Sequence, residues 1–346
     1  MQVEELLSKS VVLVAGKGGV GRTSVAAALA IWGARRGKKR ILLAEIADTD
    51  TSDRPLATTE SPSPLAQSFG IRHFTPQPLR IDPQLPIEGV LLHARTGQEL
   101  FLTSVVKLRS LVEWTLQSEA IRKLVVAAPS LRELGVFYHA LTFFRQLESN
   151  SETPYDWIVI DMPATGHALA LASLPERILK LLPRGPIAAA LREGQKILYA
   201  PQKTAAAIVT IPEPHPISEA LEAAAGLQSQ HVPVAGVLLN RVPKNPFTEA
   251  ESIGVRNTLT RLGQAAPPFL PGQLSFLRLE EARNSITRIE LSPYSKLAEI
   301  PEFLPLREAS QTSAPTSAST IPNRIADNLL ALIASQNEML RGANAP

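Results

Sequence analysis

The sequence predicts an α/β fold, a mostly parallel twisted sheet flanked by helices with a helical insertion subdomain, and three observations carry that reading. Several short apolar runs lack the polar alternation of a half-exposed strand, as strands buried on both faces of a parallel sheet do. An alanine-rich stretch of helical composition joins the first two runs. A glycine-rich loop stands where the first run gives way to that stretch.

Five runs qualify as strands: "VVLVA" (Val11 to Ala15), "RILLA" (Arg40 to Ala44), "WIVID" (Trp157 to Asp161), "AAAIVTI" (Ala205 to Ile211) and "VAGVLLN" (Val234 to Asn240). Between the first two, "TSVAAALAIWGARRGKK" ends in basic residues, which suit a helix C-terminus. A strand, loop, helix and strand in that order closes by a right-handed crossover into parallel pairing. From about Thr49 to Pro86 the chain is proline-rich and irregular, and from Gln98 to Leu147 its period is helical. Residues 98–148 are read as a helical insertion between sheet strands. Leu102, Val105, Val106, Leu108, Leu111 and Val112 recur near helical spacing. A stripe facing the sheet is the first reading of them, and a groove for an apolar protein client or membrane-protein partner the second. Residues 1–308 are then one domain, 309–321 a Ser/Thr/Pro/Ala linker, and 322–346 a C-terminal helix and tail expected to pack on the domain.

Composition narrows the functional classes. With 346 residues and 45% hydrophobic content the chain can bury a large core. Its net charge of +3 comes from interspersed rather than clustered charges, so no nucleic-acid footprint is expected. The absence of cysteine excludes disulfides, thiolate catalysis and cysteine-ligated zinc. The start, "MQVEELLSKS", is acidic and has no apolar core, which argues against a signal peptide. No apolar run reaches the roughly 18 residues of a spanning helix. A cytoplasmic protein without a transmembrane segment is expected.

The loop "GKGGVGRTS" carries the chemistry. Gly16, Gly21 and Thr23 satisfy the G-x-x-x-x-G-K-[ST] phosphate-binding spacing except that Arg22 replaces the lysine. Glycine is needed there because backbone N–H groups must come close to phosphate oxygens, aided by the positive end of the following helix. Gly16, Lys17, Gly18, Gly19, Val20, Gly21, Arg22, Thr23 and Ser24 are therefore the expected nucleotide-binding residues. The Thr23 hydroxyl is the expected Mg²⁺ ligand. Arginine keeps the charge, but its planar fork is a poor substitute for an ammonium held between the β- and γ-phosphates.

"GKGGVGRTS" resembles the deviant P-loop of the ATPase class that includes the arsenite-pump ATPase, the tail-anchored-protein targeting ATPase and the MinD and ParA partition proteins. The resemblance implies ATP and Mg²⁺ as cofactors. It also implies that Lys17, the extra lysine early in the loop, reaches across a dimer interface to the partner's phosphates. Charges supplied in this way are worth about 10³ to 10⁵ in rate in related chemistry. After the third run, "DMPATGHALALASLPE" closely resembles the switch region of the arsenite-pump and tail-anchored-targeting branch. Asp161, Pro163, Ala164, Thr165, Gly166 and His167 are the matching residues. An aspartate at the carboxyl end of an apolar strand can hold a metal-bound water, and a glycine permits a turn that moves with the γ-phosphate. "VTIPEPHPISEALE" and "VAGVLLNRVPK" are similar to further segments of the family, which imply that Asn240 reads the adenine edge.

The chain also departs from its family. Where the family places a water-orienting aspartate after the second strand, this sequence has Ala47 or Ile46, and Asp48 takes the role only if the loop slips by one residue. With no cysteine, the chain has neither the thiolates of an arsenite pump nor the Cys-x-x-Cys zinc pair of the eukaryotic targeting ATPase. The sequence thus points to an ATP-binding, dimer-forming switch with catalytic candidates Lys17, Arg22 and Asp48. Its own hydrolysis is expected to be weakened by Arg22 and Ala47. The expected partner is a related, competent ATPase subunit, with a second copy of the chain as the alternative. Two alternatives stand beside this reading: a non-enzymatic scaffold, and a partition-type ATPase.

Overall fold

The computed structural model describes residues 3–38, 40–46, 63–106, 128–148, 155–262, 271–302, 322–327 and 331. Among them, strands β1 (Val11–Gly16), β2 (Ile41–Ile46), β3 (Leu79–Arg80), β4 (Ile87–Leu92), β5 (Trp157–Asp161), β6 (Thr204–Thr210), β7 (Val234–Val242) and β8 (Lys296–Pro301) form one sheet. Their spatial order is β3-β4-β2-β5-β1-β6-β7-β8. Every neighbouring pair is parallel except β3 with β4, an antiparallel edge. The expected α/β class and largely parallel sheet are present. β1 lies inside the sheet, flanked by β5 and β6, so the loop that follows it opens at the sheet's carboxyl edge.

Burial of β1 on both faces explains its uninterrupted apolar run. Val12 and Val14 join the core under α1 (Arg22–Arg35), while Val11, Leu13 and Ala15 join the core on the opposite face. α1 is buried from Val25 to Gly33, so it shows little amphipathic pattern, as a helix enclosed on most sides should. Its C-terminal half is locked by Trp32 and Trp157, whose rings meet edge to face at 6.3 Å. Trp157 Nε1 donates to the Leu6 carbonyl at 3.2 Å. Residues 322–327 are helical and place Ile325 and Ala326 in the core beneath α1. Arg35 holds them there through Asp327 and Asn323. The expected linker, 309–321, lies outside the described residues.

α2 (Pro64–Gln67) precedes β3, and α3 (Ala94–Val106) and α4 (Ala128–Glu148) follow β4. α3 and α4 fall in the region expected to be a helical insertion, of which residues 107–127 lie outside the described residues. α4 packs Val136, Tyr138, Leu141 and Phe144 into the core of the face opposite α1. The expected apolar stripe is only partly visible: Leu108, Leu111 and Val112 lie outside the described residues, and Leu102 is 57% exposed rather than turned to the sheet. α3 and α4 approach so closely because Gly97 and Gly135 lie at their crossing, where a Cβ on Gly97 would come within 1.7 Å of the Gly135 carbonyl oxygen.

The same face is completed by α5 (Thr165–Leu181), α6 (Pro186–Leu198) and α7 (Pro214–Ser229). Beneath α4 and α5 lies an apolar cavity of about 60 Å³, bounded by Leu13, Ile160, Phe144 and Leu171 among others. α8 (Glu249–Leu262) and α9 (Pro271–Glu290) precede β8. No helix among the described residues is long and apolar enough to cross a membrane.

Candidate functional site

The loop 17–21 connects β1 to α1 at the carboxyl edge of the sheet. Gly19 and Gly21 adopt left-handed backbone conformations, with φ of 88° and 85°. A side chain at Gly21 would be strained and would also collide with Asn240, whose Nδ2 lies 2.4 Å from the Cβ position. Gly18 and Gly19 face open space, so ligand oxygens can approach the backbone there. Helix α1 begins with Gly21 as its N-cap and no side-chain capping bond. Its first-turn N–H groups and the positive end of the helix dipole therefore stand available to an anion.

Asn240, at the end of β7, is buried below this loop and donates its amide to the Val20 carbonyl at 2.8 Å. The sequence reading placed Asn240 toward adenine; here its Nδ2 braces the phosphate loop from beneath. The other matched residues gather around Asp161, the last residue of β5 and 6% exposed. Arg22 donates through Nε to Asp161 Oδ1 at 2.7 Å and through Nη1 to the Gly16 carbonyl at 3.1 Å. Thr23 Oγ1 donates to the other carboxylate oxygen, Oδ2, at 2.8 Å. Burial pushes the Asp161 carboxyl above the ordinary carboxylate range, against the opposing pull of the Arg22 guanidinium and the Thr23 hydroxyl.

Three residues at the site escaped the sequence reading. Glu45 is the register partner of Asp161 on the adjacent strand β2. Desolvation and the nearby Asp161 charge raise its carboxyl to about 7, with Ser63 Oγ, which donates to it, opposing the rise. Glu219, on α7, accepts from Lys17 Nζ through Oε1 at 2.8 Å, and the ammonium stands 2.7 Å from Oε2 in the same ion pair. The lysine expected to reach a partner is thus held within its own chain. His215, one turn earlier on α7, stands 3.6 Å from the same carboxylate. Acidity at the end of β2 was the one available signal for Glu45; nothing in the sequence links Glu219 to residue 17.

The residues expected to form a switch follow directly. Pro163 and Ala164 lead into α5, where Thr165 is the first residue and Gly166 and His167 follow, exposed. The His167 N–H donates to the Ala164 carbonyl at 2.9 Å, the ordinary closure of a first turn. Ala47 and Asp48 lie outside the described residues, and Ile46 ends β2.

A divalent cation was expected on Thr23 and Asp161. Both oxygens of Asp161 are engaged, one of them by a fixed guanidinium, and a metal bound there would sit beside a like charge. With Arg22 placed as it is, the donor set does not fit Mg²⁺. The loop itself, open over its glycines and backed by a helix N-terminus, fits a polyphosphate.

Comparison with known proteins agrees with this geometry. The chain is 28% identical to the ATPase BagA of Mycobacterium tuberculosis over 232 residues, 66% of this chain and 64% of that protein. It is 27% identical to the ATPase GET3B of Arabidopsis thaliana over 270 residues, 66% of this chain and 63% of that one. A putative arsenical pump-driving ATPase 2 of Aquifex aeolicus matches at 25% over 331 residues, 84% of this chain and 97% of its own length. The chain therefore spans a little under two thirds of the length of the first two of these relatives. The model of the anion-transporting ATPase family matches residues 9–185, which contain the glycine-rich loop, Asp161 and α5. By that match and by the loop geometry that accompanies it, the chain belongs to the anion-transporting ATPase family.

Proposed function

We propose that the chain binds ATP in its glycine-rich loop, forms a dimer across the nucleotide face and acts as an ATP-driven switch whose own hydrolysis is weak. The observation that carries this reading is the ion pair of Arg22 with Asp161 beneath an otherwise open phosphate loop. A P-loop ATPase needs a mobile positive charge at the β- and γ-phosphates and a carboxylate free to organise the metal and the attacking water. Here the charge and the carboxylate neutralise one another. Binding through backbone N–H groups survives this arrangement, whereas acceleration of phosphoryl transfer does not.

Lys17 supports the dimer. Its ammonium is half-exposed and, among the described residues, paired with Glu219 alone. Exposed pairs of this kind are worth at most about 1 kcal/mol, so a phosphate of a partner subunit can draw the lysine away. A second subunit with an intact lysine and switch aspartate would then receive Lys17, which makes a related ATPase a better partner than a second copy. The region 98–148 serves as the client or partner surface in this reading, supported by the exposed side chains of Leu100 and Leu102 on α3.

The test is steady-state ATP turnover by the purified protein, with Thr23→Ala as the control for contaminating activity, together with light scattering. The expected result is turnover no higher than the control, with nucleotide binding retained. Turnover that disappears in the control, from a stable homodimer, would overturn the weakened-subunit reading. The scaffold reading is favoured by the same internal pairing of Lys17 and Arg22, and calorimetry separates the two, since a scaffold gives no heat with ATP and no competition by ADP.

A further inference from the structure

We propose that the Arg22 guanidinium takes the place of the divalent cation in this site, so that the chain binds nucleoside triphosphate free of metal. The inference rests on the nucleotide-binding reading above and concerns what neutralises the bound phosphates.

The geometry fixes a positive charge against the carboxylate that a metal's water would otherwise meet. The guanidinium lies against the buried aspartate through Nε at 2.7 Å, the carboxylate that would otherwise hold the ion's water. Its Nη1 is anchored on the Gly16 carbonyl at 3.1 Å, which fixes the charge at the floor of the loop. Thr23 Oγ1 donates to the remaining oxygen of Asp161 at 2.8 Å, so both oxygens of that carboxylate are engaged. The cation is planted as well as present: the Arg22 side chain is 16% exposed and Asp161 6%. Leaving Asp161 unpaired in that setting is costly, since breaking a buried pair strands a desolvated charge.

Arginine is suited to the substitution in a way lysine is not. Its fork has five donors in a plane. Two serve Asp161 and Gly16 among the described residues, which leaves the rest of the fork for a pair of phosphate oxygens. A lysine spends its single ammonium on the phosphate and leaves the carboxylate to a metal; one arginine can face both. The departure of this loop from its family at position 22 then reads as a change of counter-ion. It retains binding and gives up the metal's part in catalysis.

The experiment is isothermal calorimetry of the full chain with ATP, once in excess Mg²⁺ and once in EDTA, repeated on Arg22→Lys after its circular dichroism has been matched to the parent. For the parent, the expected Kd in EDTA is within about threefold of that in Mg²⁺; for Arg22→Lys it is more than about tenfold weaker in EDTA. A parent affinity that falls by more than about tenfold in EDTA overturns the metal-free proposal and leaves nucleotide binding standing. No binding in either buffer overturns both. If Arg22→Lys does not fold, the parent's two titrations decide alone.

Discussion

Replacing Glu45 by glutamine should stabilise the protein in a pH-dependent way. Glu45 lies on β2 beside Asp161, its register partner, and its carboxyl is raised from an ordinary 4.5 to about 7. At about 1.4 kcal/mol per pH unit, that difference sets a ceiling of about 3 kcal/mol on the cost of carrying the ionised group in the fold. Glu45 is only partly enclosed, so water and side-chain relaxation reduce the expected cost to about 1–2 kcal/mol. The folded state binds more protons than the unfolded chain between pH 4.5 and about 7. Through this group, stability therefore falls as pH rises across that window and is level above it. Glutamine keeps an oxygen to accept from Ser63 and carries no charge. Urea unfolding should show Glu45→Gln more stable than the parent by about 1–2 kcal/mol at pH 8, with the advantage shrinking toward zero near pH 4.5. A difference between the two proteins that does not change with pH, or a variant weaker at pH 8, would refute the reasoning.

Three further outcomes are expected. Asn240→Ala and Asn240→Asp should both lower stability by about 1–3 kcal/mol in urea unfolding, because neither can donate to the enclosed Val20 carbonyl, and both should weaken ATP binding in calorimetry. Glu219→Gln should leave the melting temperature almost unchanged and raise the nucleotide-dependent dimer fraction in analytical ultracentrifugation, since it releases Lys17; an unaltered dimer fraction would count against the role given to that lysine. Gly97→Ala should cost about 3 kcal/mol or more, because the new methyl would meet the Gly135 carbonyl at 1.7 Å and drive α3 and α4 apart, a loss visible as a lowered urea midpoint.

The strands that hold the site could be read from the sequence because burial on both faces leaves no room for polar residues. The run from Val11 to Ala15 is apolar throughout for that reason, and β5 and β6 carry polar residues only at their ends, Asp161 in the one and Thr204 and Thr210 in the other. β4 and β8 were missed because each carries charge within the strand. Glu88 of β4 faces Arg40 and Tyr155, accepting from Tyr155 Oη at 2.5 Å. In β8, Lys296 pairs with Glu290 and Glu299. The phosphate loop was legible because its constraint is local: glycines at fixed spacing, two of them at positive φ. Partners of the loop from distant segments were not. Glu45 reads as the end of an apolar run until the register sets it beside Asp161. Asparagine at the end of β7 was noticed, but only packing directs its amide to Val20. Leu102 fits a helical stripe by spacing, yet its side of α3 is exposed. Periodicity marks that a helix has two faces and does not say which neighbour covers either.

The bracing of the loop by Asn240 bears on how the protein is made. The hydrogen bond from Asn240 to Val20 spans 220 residues, and that from Lys17 to Glu219 spans 202. A ribosome adding about 5–20 residues per second needs roughly 10–40 s to pass from the first group to the second. Throughout that interval the glycine-rich loop has emerged without its brace, and the Lys17 ammonium without its carboxylate. Arg22 likewise waits for Asp161, which lies 139 residues downstream. The glycine-rich loop is therefore held in shape only after β7 has been made, and a chain truncated before β7 would carry the whole loop sequence without the means to hold its shape.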